Sequence, residues 1–537
     1  MNSSPQQQVQ RVRQSQVRRD QISLTGRQLF LPNNPIVTIV TTLSPTAGTL
    51  VSLLFTVVVL LSIGVNLWLR LQLNFNGLYT DEADYLFVGR LLWLGVDWST
   101  QTYMFSSNLP IYILGLGDLI GGTLGGRAVS AVCGLFSLYC FYHCILMLFQ
   151  DRRVAFLSML LLGLQASHIF ISKFATYDGV SLALFSVSLW LFSIACLRQE
   201  RSPNRPALLA AGAFFLAVMS KYVVLAYFPF LVVTAFFLRR QVILPFALPV
   251  VGLITLYVLH YRAALTILYH QQILGTHAAN ATYGDIVTIA LMYLALPGAM
   301  WLWTFFYRFT NRGKDHSQPR ILIVLFALSL PLIIYHLKLR DMISMYKHLV
   351  YACFFLCPAG GILLRDLLRS TAFPRIGVIV ASGLLLVTTA QGAYYVKEMQ
   401  RAYPDSSSVV AYLLPNVKAD TTILSEDPYL FRYQFLSTKP HNGIYEMTWF
   451  DNDADRTHEA RDVISAVWDG KFDYVYLNGL VASNLSELLR TAVLSHSYDK
   501  ILEIPFSTSP VMSTITTGSL TLYKSRVPYS GPYPVER

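Results

Sequence analysis

Long apolar segments alternate with short polar segments along most of the chain. Apolar runs of roughly 17–22 residues are long enough to cross a bilayer as helices, which need about 20 residues each. The pattern predicts about eleven membrane-spanning helices, and therefore a protein embedded in the lipid bilayer. The predicted spans are residues 50–69, 127–149, 154–172, 180–197, 207–219, 223–237, 242–260, 286–307, 321–337, 349–364 and 376–395.

Basic residues cluster between these spans and predict the orientation of the chain. The net charge is +11, and lysine and arginine accumulate in the cytoplasmic loops of membrane proteins. If every basic cluster is cytoplasmic, the spans pair into hairpins, the N-terminus is cytoplasmic and the C-terminus lies on the outer side. The clusters are residues 151–153, 198–205, 239–240, 308–320 and 365–375.

Composition divides the chain into three regions. Residues 1–48 begin with a Gln-rich, basic stretch, which predicts a disordered cytoplasmic tail. Residues 49–399 hold the apolar spans. Residues 400–537 combine strand-like and helical patterns and predict a small extracytoplasmic α/β domain, with strands near 422–424, 472–477 and 520–523. Because this domain has no glycine-rich phosphate loop and no triad spacing, we expect it to bind, cap or support rather than catalyse.

One apolar segment departs from the span pattern. Residues 111–124 are glycine-rich, short and include Asp118. Counting them as a span breaks the pairing of the basic clusters. We therefore predict a re-entrant or interfacial helix within the first outer loop.

The composition also excludes several classes of protein. Residues of the hydrophobic class make up 54% of the chain and charged residues only 13%, which no ordinary soluble domain shows. The positive charge is explained by topology, so nucleic acid is not an expected partner. All six cysteines lie in apolar segments without metal-ligand spacing, which predicts buried, unreactive thiols.

Three carboxylates follow the first span directly, at Asp81, Glu82 and Asp84. One interpretation is that Asp81 and Glu82 only complement the dipole at the start of a helix. The topology, however, places further ionisable groups on the same outer side, and such groups beside membrane spans are costly and often functional. Alternatives remain open for these as well: Asp178 could cap a helix, and Lys221 could extend to the interface.

Acids from one loop and cations from others suit a phosphate-bearing lipid substrate. In glycosyl transfer from a lipid-phosphate sugar, cations stabilise the leaving phosphate while one carboxylate accepts the proton of the incoming hydroxyl. We predict that Asp81 is the base, and that Glu82 and Asp178 orient hydroxyls or hold a divalent cation. The predicted donor-phosphate contacts are Lys221, Lys347, His348, Arg340 and Lys173, and the predicted acceptor or sugar contacts are Asp84, Tyr85, Tyr177 and Tyr222.

The order of motifs resembles that of the membrane-embedded GT-C glycosyltransferases, in the branch of protein O-mannosyltransferases and the lipid A aminoarabinose transferase. Residues 81–85 read Asp-Glu-Ala-Asp-Tyr and match the Asp-Glu-Ala-x-Tyr motif of that branch. Similar features follow in the same order, at residues 108–111, Arg127, residues 173–178 and residues 211–221.

The resemblance implies a GT-C fold and a polyprenyl- or dolichyl-monophosphate sugar as donor. It also implies that Asp81 is the base and that Lys221, Lys347 and His348 contact the donor phosphate. Two departures concern the donor and acceptor: the family's Lys-Pro-Pro or His-Pro-Pro loop is Ser107-Asn108-Leu109-Pro110 here, and its Arg before the second Asp is Lys173. Lysine cannot make the bidentate contact of arginine.

The sequence therefore predicts an inverting glycosyltransferase of the plasma or inner membrane, acting on a glycan, lipid or protein hydroxyl. A multi-pass transporter or flippase of lipid-linked sugars is the main alternative, although transporters more often place charges at the bilayer midplane and show internal repeats. A non-catalytic membrane scaffold is the third interpretation. The carboxylates leave a metal requirement open.

Overall fold

The computed structural model describes residues 49–78, 80–96, 106–198, 202–269, 281–310, 317–342, 344–401, 403–435, 443–448, 450, 460–480, 483–492, 494–507 and 517–526. The predicted tail, residues 1–48, lies outside these. The helices before residue 400 are α1 Thr49–Leu71, α2 Thr80–Trp93, α3 Leu109–Phe149, α4 Arg152–Gly163, α5 Ala166–Ile171, α6 Tyr177–Leu197, α7 Asn204–Ser220, α8 Phe228–Leu238, α9 Ile243–His260, α10 Arg262–Leu268, α11 Tyr283–Thr310, α12 Ser317–Ser329, α13 Pro331–Leu339, α14 Met345–Leu368 and α15 Pro374–Arg401. Beyond these lie α16 Ser407–Leu413, β1 Ile423–Ser425, α17 Pro428–Gln434, β2 Ile444–Glu446, α18 Ala460–Trp468, β3 Tyr474–Leu477, α19 Ser483–Ala492, α20 Leu494–Ser497, β4 Tyr498–Ser507 and β5 Thr517–Ser525.

The predicted polytopic helical architecture is confirmed. Each predicted span coincides with helical structure, and within the described residues 8 helical segments are long and apolar enough to cross a membrane. Short 3₁₀ turns precede α8 and α9, at Tyr222–Tyr227 and Arg240–Val242. Many large apolar side chains of α1, α8 and α9 are exposed on the outside of the bundle, where a bilayer supplies the apolar surroundings that water cannot.

The span predicted at residues 154–172 is interrupted, and polar side chains of another helix bind at the break. The carbonyl of Gly163 accepts hydrogen bonds from the buried side chains of Arg70, at 2.9 Å, and Asn66. Gln165 adopts an extended conformation with ψ of 130° and separates α4 from α5. Polar side chains of α1 thus stabilise the break by satisfying a carbonyl that a continuous helix would use internally.

Helix α3 contains a sharp bend at two glycines. Gly121 has φ −141° and Gly122 has φ +59°, the second in the left-handed region that glycine adopts readily. The part before the bend, residues 109–120, is about 18 Å long at 1.5 Å per residue, shorter than the ~30 Å hydrocarbon core. This part packs on α2 with backbones in contact, because a Cβ at Gly115 would lie 2.7 Å from Gly89 Cα.

The C-terminal region forms the predicted α/β domain around a five-stranded sheet. The strand order is β2-β1-β3-β5-β4, with β1 parallel to β2 and β3, and β5 antiparallel to β3 and β4. The predicted strands correspond to β1, β3 and β5. The strands β2 and β4 were not predicted from the sequence.

One hydrophobic core joins the C-terminal sheet to helix α2. Leu86 and Phe87 of α2 belong to the same buried cluster as Ile423 of β1, Phe431 of α17 and Leu522 of β5. A second cluster fills the other face of the sheet, and a third, much larger one fills the bundle of spans. Helix α2 therefore lies between the bundle and the C-terminal domain, and it contacts both.

Candidate functional site

The first turn of α2 presents Asp81 at the end of the helical bundle. The Asp81 side chain is 40% exposed, and its Oδ2 lies 3.0 Å from Nζ of Lys347. The Lys347 side chain, in the first turn of α14, is only 4% exposed. An accessible carboxylate is therefore held by a cation that is almost fully buried.

Two further charges complete this arrangement, which we call the charge cluster: Asp81, Asp178, Lys221 and Lys347. Asp178 stands in the first turn of α6, and Lys221 directly follows α7. Lys221 Nζ donates to Asp178 Oδ1, and Lys347 Nζ lies 3.9 Å from Asp178 Oδ2. Two acids and two cations from the ends of four helices thus lie in one chain of contacts, on what we call the site face of the bundle.

Aromatic and hydroxyl side chains surround the charge cluster. Thr176 Oγ1 donates to Asp178 Oδ2 at 2.9 Å, and the Tyr177 ring centroid lies 5.2 Å from Lys221 Nζ. The ring of Tyr85, one turn along α2 from Asp81, packs at 5.1 Å from that of Tyr177. In such surroundings charges interact more strongly than in water.

Glu82 has a different environment from its neighbour Asp81. Its Oε1 and Oε2 accept from Arg127 Nε at 2.8 Å and Nη2 at 2.6 Å, and Oε1 also accepts from the backbone of Ala175 at 2.9 Å. Arg127 also donates to the carbonyls of Leu73 and Phe75, each at 2.8 Å. We call this the Glu82–Arg127 clamp. Both carboxylate oxygens of Glu82 are thus directed to protein partners. Its predicted role in orienting hydroxyls or holding a cation stays a prediction.

Lys173 is buried behind the clamp, with no exposed surface. Its Nζ lies 4.6 Å from the Phe75 ring centroid and donates no hydrogen bond to a described residue. Burial, and secondarily the charge of Arg127, lowers the pKa of Lys173 from 10.5 to about 8. The structure therefore does not bring this predicted phosphate contact to the exposed part of the site.

Asp84 lies one turn along α2 from Asp81, near carboxylates of the C-terminal domain. Its Oδ1 is buried and without a hydrogen-bond partner among the described residues. Burial raises the pKa of Asp84 well above its ordinary value, and the nearby carboxylates of Asp81, Asp427 and Glu446 raise it further. Asp427 and Glu446 lie at the carboxyl ends of β1 and β2, so a predicted acceptor contact lies at the junction of the two domains.

The remaining predicted residues lie farther along the site face. His348 Nδ1 is 2.8 Å from Nε2 of His336, whose Nδ1 is 2.7 Å from the Asp341 carbonyl. The exposed Arg340 lies over the Tyr283 ring at 5.5 Å. The Tyr222 hydroxyl hydrogen-bonds that of Tyr257 at 2.7 Å.

Comparison with known proteins gives matches in structure but not in sequence. No family model and no curated protein matches the sequence. The structure of ArnT from Cupriavidus metallidurans bound to undecaprenyl phosphate aligns with a TM-score of 0.57 at 12% identity, covering 86% of this chain and 97% of that chain. Its apo structure gives a TM-score of 0.55 at 13% identity, with the same coverage.

A second solved protein supports the same architecture. Archaeal oligosaccharyltransferase AglB from Archaeoglobus fulgidus, in complex with an inhibitory peptide and a dolichol-phosphate, aligns with a TM-score of 0.51 at 11% identity, covering 86% of this chain and 74% of that chain. Both proteins are glycosyltransferases of the GT-C superfamily. This chain has the GT-C fold. The fold expected from the motif at residues 81–85 is thereby confirmed.

Within this GT-C fold, the sequence did not reveal some of the residues around the charge cluster. Tyr403 is buried beside Lys347, and its hydroxyl hydrogen-bonds that of Tyr346. The composition change near residue 400 assigned Tyr403 to the C-terminal domain, whereas the structure places it against the bundle. No local pattern identifies it, because its partners come from distant parts of the chain.

The GT-C fold observed here brings together no group of three or more His, Cys, Asp or Glu side chains suited to a metal ion among the described residues. In the charge cluster itself, Lys221 lies beside Asp178, and Lys347 lies beside both Asp178 and Asp81. The described cysteines are free and mostly buried.

Proposed function

We propose that this protein is a glycosyltransferase that moves a sugar from a polyprenyl-phosphate donor to a hydroxyl group of a glycan, lipid or protein. The observation that carries this proposal is the exposed Asp81 carboxylate, 3.0 Å from the buried ammonium of Lys347. A carboxylate that solvent can reach, held by a buried ammonium group beside it, can accept a proton from an acceptor hydroxyl.

In the proposed reaction Asp81 accepts the proton of the acceptor hydroxyl while its oxygen attacks the anomeric carbon of the donor sugar. The bond between that carbon and the phosphate oxygen breaks, and the polyprenyl phosphate leaves with the electron pair. A single displacement of this kind inverts the anomeric configuration. No general acid is needed, because a phosphate that cations stabilise is already a good leaving group.

Lys221 and Lys347 are the proposed contacts of the departing phosphate. Both ammonium groups now contact Asp178, and an arriving phosphate would compete for them. As the phosphate gains charge during bond breaking, its interaction with the two lysines becomes stronger, which favours the transition state over the bound substrate. The two structural relatives support a polyprenyl donor by analogy, because their solved structures contain undecaprenyl phosphate and a dolichol-phosphate.

The proposed location is the cell membrane, with the charge cluster and the C-terminal domain on the extracytoplasmic side. The distribution of basic residues in the sequence supports this orientation. The contacts of α2 with the C-terminal domain support placing both on one side of the bilayer.

The test is a transfer assay with purified protein, a panel of radiolabelled polyprenyl-phosphate sugars and acceptor fractions of glycan, lipid and protein. We expect transfer from at least one donor, and Asp81→Asn to reduce it by about 10²–10⁴-fold, the range of general base catalysis. Asp285→Asn is a matched control, because Asp285 is another carboxylate in the first turn of a helix but lies outside the charge cluster.

Full activity of Asp81→Asn would contradict the proposed mechanism. Equal losses in Asp81→Asn and Asp285→Asn would favour a simple helix-start role for both. If wild-type protein transfers no sugar but moves a labelled lipid-linked sugar across vesicle membranes, the transporter interpretation replaces ours.

A further inference from the structure

A cavity lies within the bundle, far from the charge cluster. Its volume is about 720 Å³, within the 300–1,000 Å³ range of small-molecule sites. Most of its lining is apolar, and it includes the positions Phe192, Leu231, Thr234, Leu325 and Phe354. Nothing in the proposed transfer reaction uses this space.

The cavity is on the opposite face of the bundle from the charge cluster. On α6, Asp178 stands at the start of the helix, whereas the lining residues run from Leu189 to Leu197 at its end. At 1.5 Å per residue, these lie about 17–28 Å along the axis from Asp178. The lining residues of α8 and α12 also lie toward the helix ends remote from the charge cluster.

The depth of the cavity corresponds to one leaflet. The lining stretch of α6, from Leu189 to Leu197, rises about 12 Å, close to half of the ~30 Å hydrocarbon core. Phe237 and Ile323 line the cavity yet are 73% and 52% exposed. The cavity therefore opens on the surface of the bundle that faces lipid.

One end of the cavity is positively charged. Arg320 is the one charged residue among the described lining residues, and it lies in the first turn of α12. Its side chain is exposed, and it forms no ion pair with a carboxylate in the part of the chain that the structure describes. The start of a helix adds partial positive charge from its free N–H groups. An apolar cavity with a cation at its rim complements an amphiphile with an anionic head.

We propose that this cavity binds an anionic phospholipid of the leaflet opposite the charge cluster, with acyl chain in the cavity and phosphate at Arg320. The cavity is about as deep as one leaflet. This depth favours an acyl chain over a polyprenyl chain, which is longer than one leaflet. The basic clusters of the sequence place this face in the cytoplasm, where anionic lipids attract basic residues. This site is separate from the proposed transfer reaction and does not depend on it.

The test compares lipid binding to the purified full-length protein by native mass spectrometry. Phosphatidylglycerol and phosphatidylcholine with identical acyl chains serve as probes. We expect preferential retention of phosphatidylglycerol, and Arg320→Gln to weaken its binding by about fivefold, equivalent to the ~1 kcal/mol expected for one basic residue near a membrane surface. Arg320→Lys should retain most of the preference.

Arg375→Gln is the matched control, since Arg375 is also exposed in the first turn of a helix but does not line the cavity. Equal binding of the two lipids to wild-type protein would overturn the proposal. So would equal weakening by Arg320→Gln and Arg375→Gln.

A photoreactive phosphatidylglycerol with a diazirine in its acyl chain locates the bound lipid. We expect cross-links at the lining stretches of α6, α8 and α12. Cross-links confined to the exposed surface of α1 would contradict a site in the cavity. Displacement of phosphatidylglycerol by an equal or lower concentration of polyprenyl phosphate would assign the cavity to that lipid instead, and would overturn our choice of occupant.

Discussion

Two neighbouring carboxylates at the start of α2 show how differently the same chemical group can be used. Glu82 has no exposed surface, and both its oxygens are bonded to Arg127. Asp81 is 40% exposed and pairs with one lysine, which is itself shared with Asp178. The clamp has its hydrogen bonds satisfied within the protein, whereas the charge cluster leaves one carboxylate partly exposed.

A fully paired carboxylate and a partly exposed one thus stand side by side in a single helical turn. The clamp joins α2 to α3 through Arg127 and to the segment after α1 through the carbonyls of Leu73 and Phe75. It also joins α2 to the segment before Asp178 through the backbone N–H of Ala175. It thereby fixes the position of the helix that carries Asp81.

The largest expected effect comes from breaking the clamp. Glu82→Ala leaves the Arg127 guanidinium buried without its carboxylate, which destabilises a protein by about 3–5 kcal/mol in comparable buried pairs. We expect a marked fall in the thermal unfolding midpoint in detergent and, with it, loss of folded protein. The double variant Glu82→Leu with Arg127→Met removes both charges and should recover part of that loss.

Asp81→Asn is the variant to compare with Glu82→Ala, because we expect its unfolding midpoint to stay near that of the wild type. If Glu82→Ala proved as stable as Asp81→Asn, the distinction between clamp and charge cluster would be wrong.

A smaller effect should distinguish the two lysines of the charge cluster. Lys347 contacts both carboxylates, whereas Lys221 contacts Asp178. We expect Lys347→Met to lower kcat/KM by about 10²-fold or more, as for loss of one oxyanion contact, and Lys221→Met to lower it by less. Steady-state kinetics with a polyprenyl-phosphate sugar measures both. A greater loss in Lys221→Met would indicate that Lys221, not Lys347, is the main phosphate contact.

The smallest effect concerns Lys173 and depends on pH. Burial lowers the pKa of Lys173 from 10.5 to about 8 in the folded protein. Between these values the unfolded chain binds more protons than the folded one, so this residue makes the protein more stable as pH rises from about 8 toward 10.5. Below pH 8 the buried charge opposes folding.

We therefore expect Lys173→Met to raise the unfolding midpoint by a few degrees at pH 7, with the difference from wild type shrinking by pH 10. The same variant tests the predicted phosphate contact. Unchanged KM for the donor would remove Lys173 from the binding site, whereas a raised KM would return it there. Lys338→Met, at an exposed lysine on the same side of the bundle, is the control for a general charge effect.

The sequence predicted the spans well because burial in a bilayer requires long, continuous apolar segments. It also placed a larger set of polar residues on one face, among them Asp81, Asp178, Lys221 and Lys347, since the spacing of basic clusters constrains which loops share a side. The structure joins these four charged side chains in one chain of ion pairs. Their catalytic roles stay predictions.

The sequence could not distinguish Glu82 from Asp81. Both lie in the first turn of the same helix. They differ because Arg127, on another helix, binds Glu82 and not Asp81. Likewise, the break at Gly163 depends on Arg70 and Asn66, so no local pattern predicts it. Partnerships between distant residues decide which of two similar side chains becomes structural and which stays accessible.

The core that α2 shares with the C-terminal sheet has a consequence for biosynthesis. Leu86 and Phe87 emerge from the ribosome long before Phe431 and Leu522, the residues that they pack with. Contacts between such distant segments form late and slow folding. In the proposed orientation, the apolar face of α2 stays uncovered beyond the membrane until β5 has been exported. A chain truncated before β5 should therefore insert its spans yet leave α2 exposed to proteases and chaperones, and complete export would act as a checkpoint before Asp81 is fixed in place.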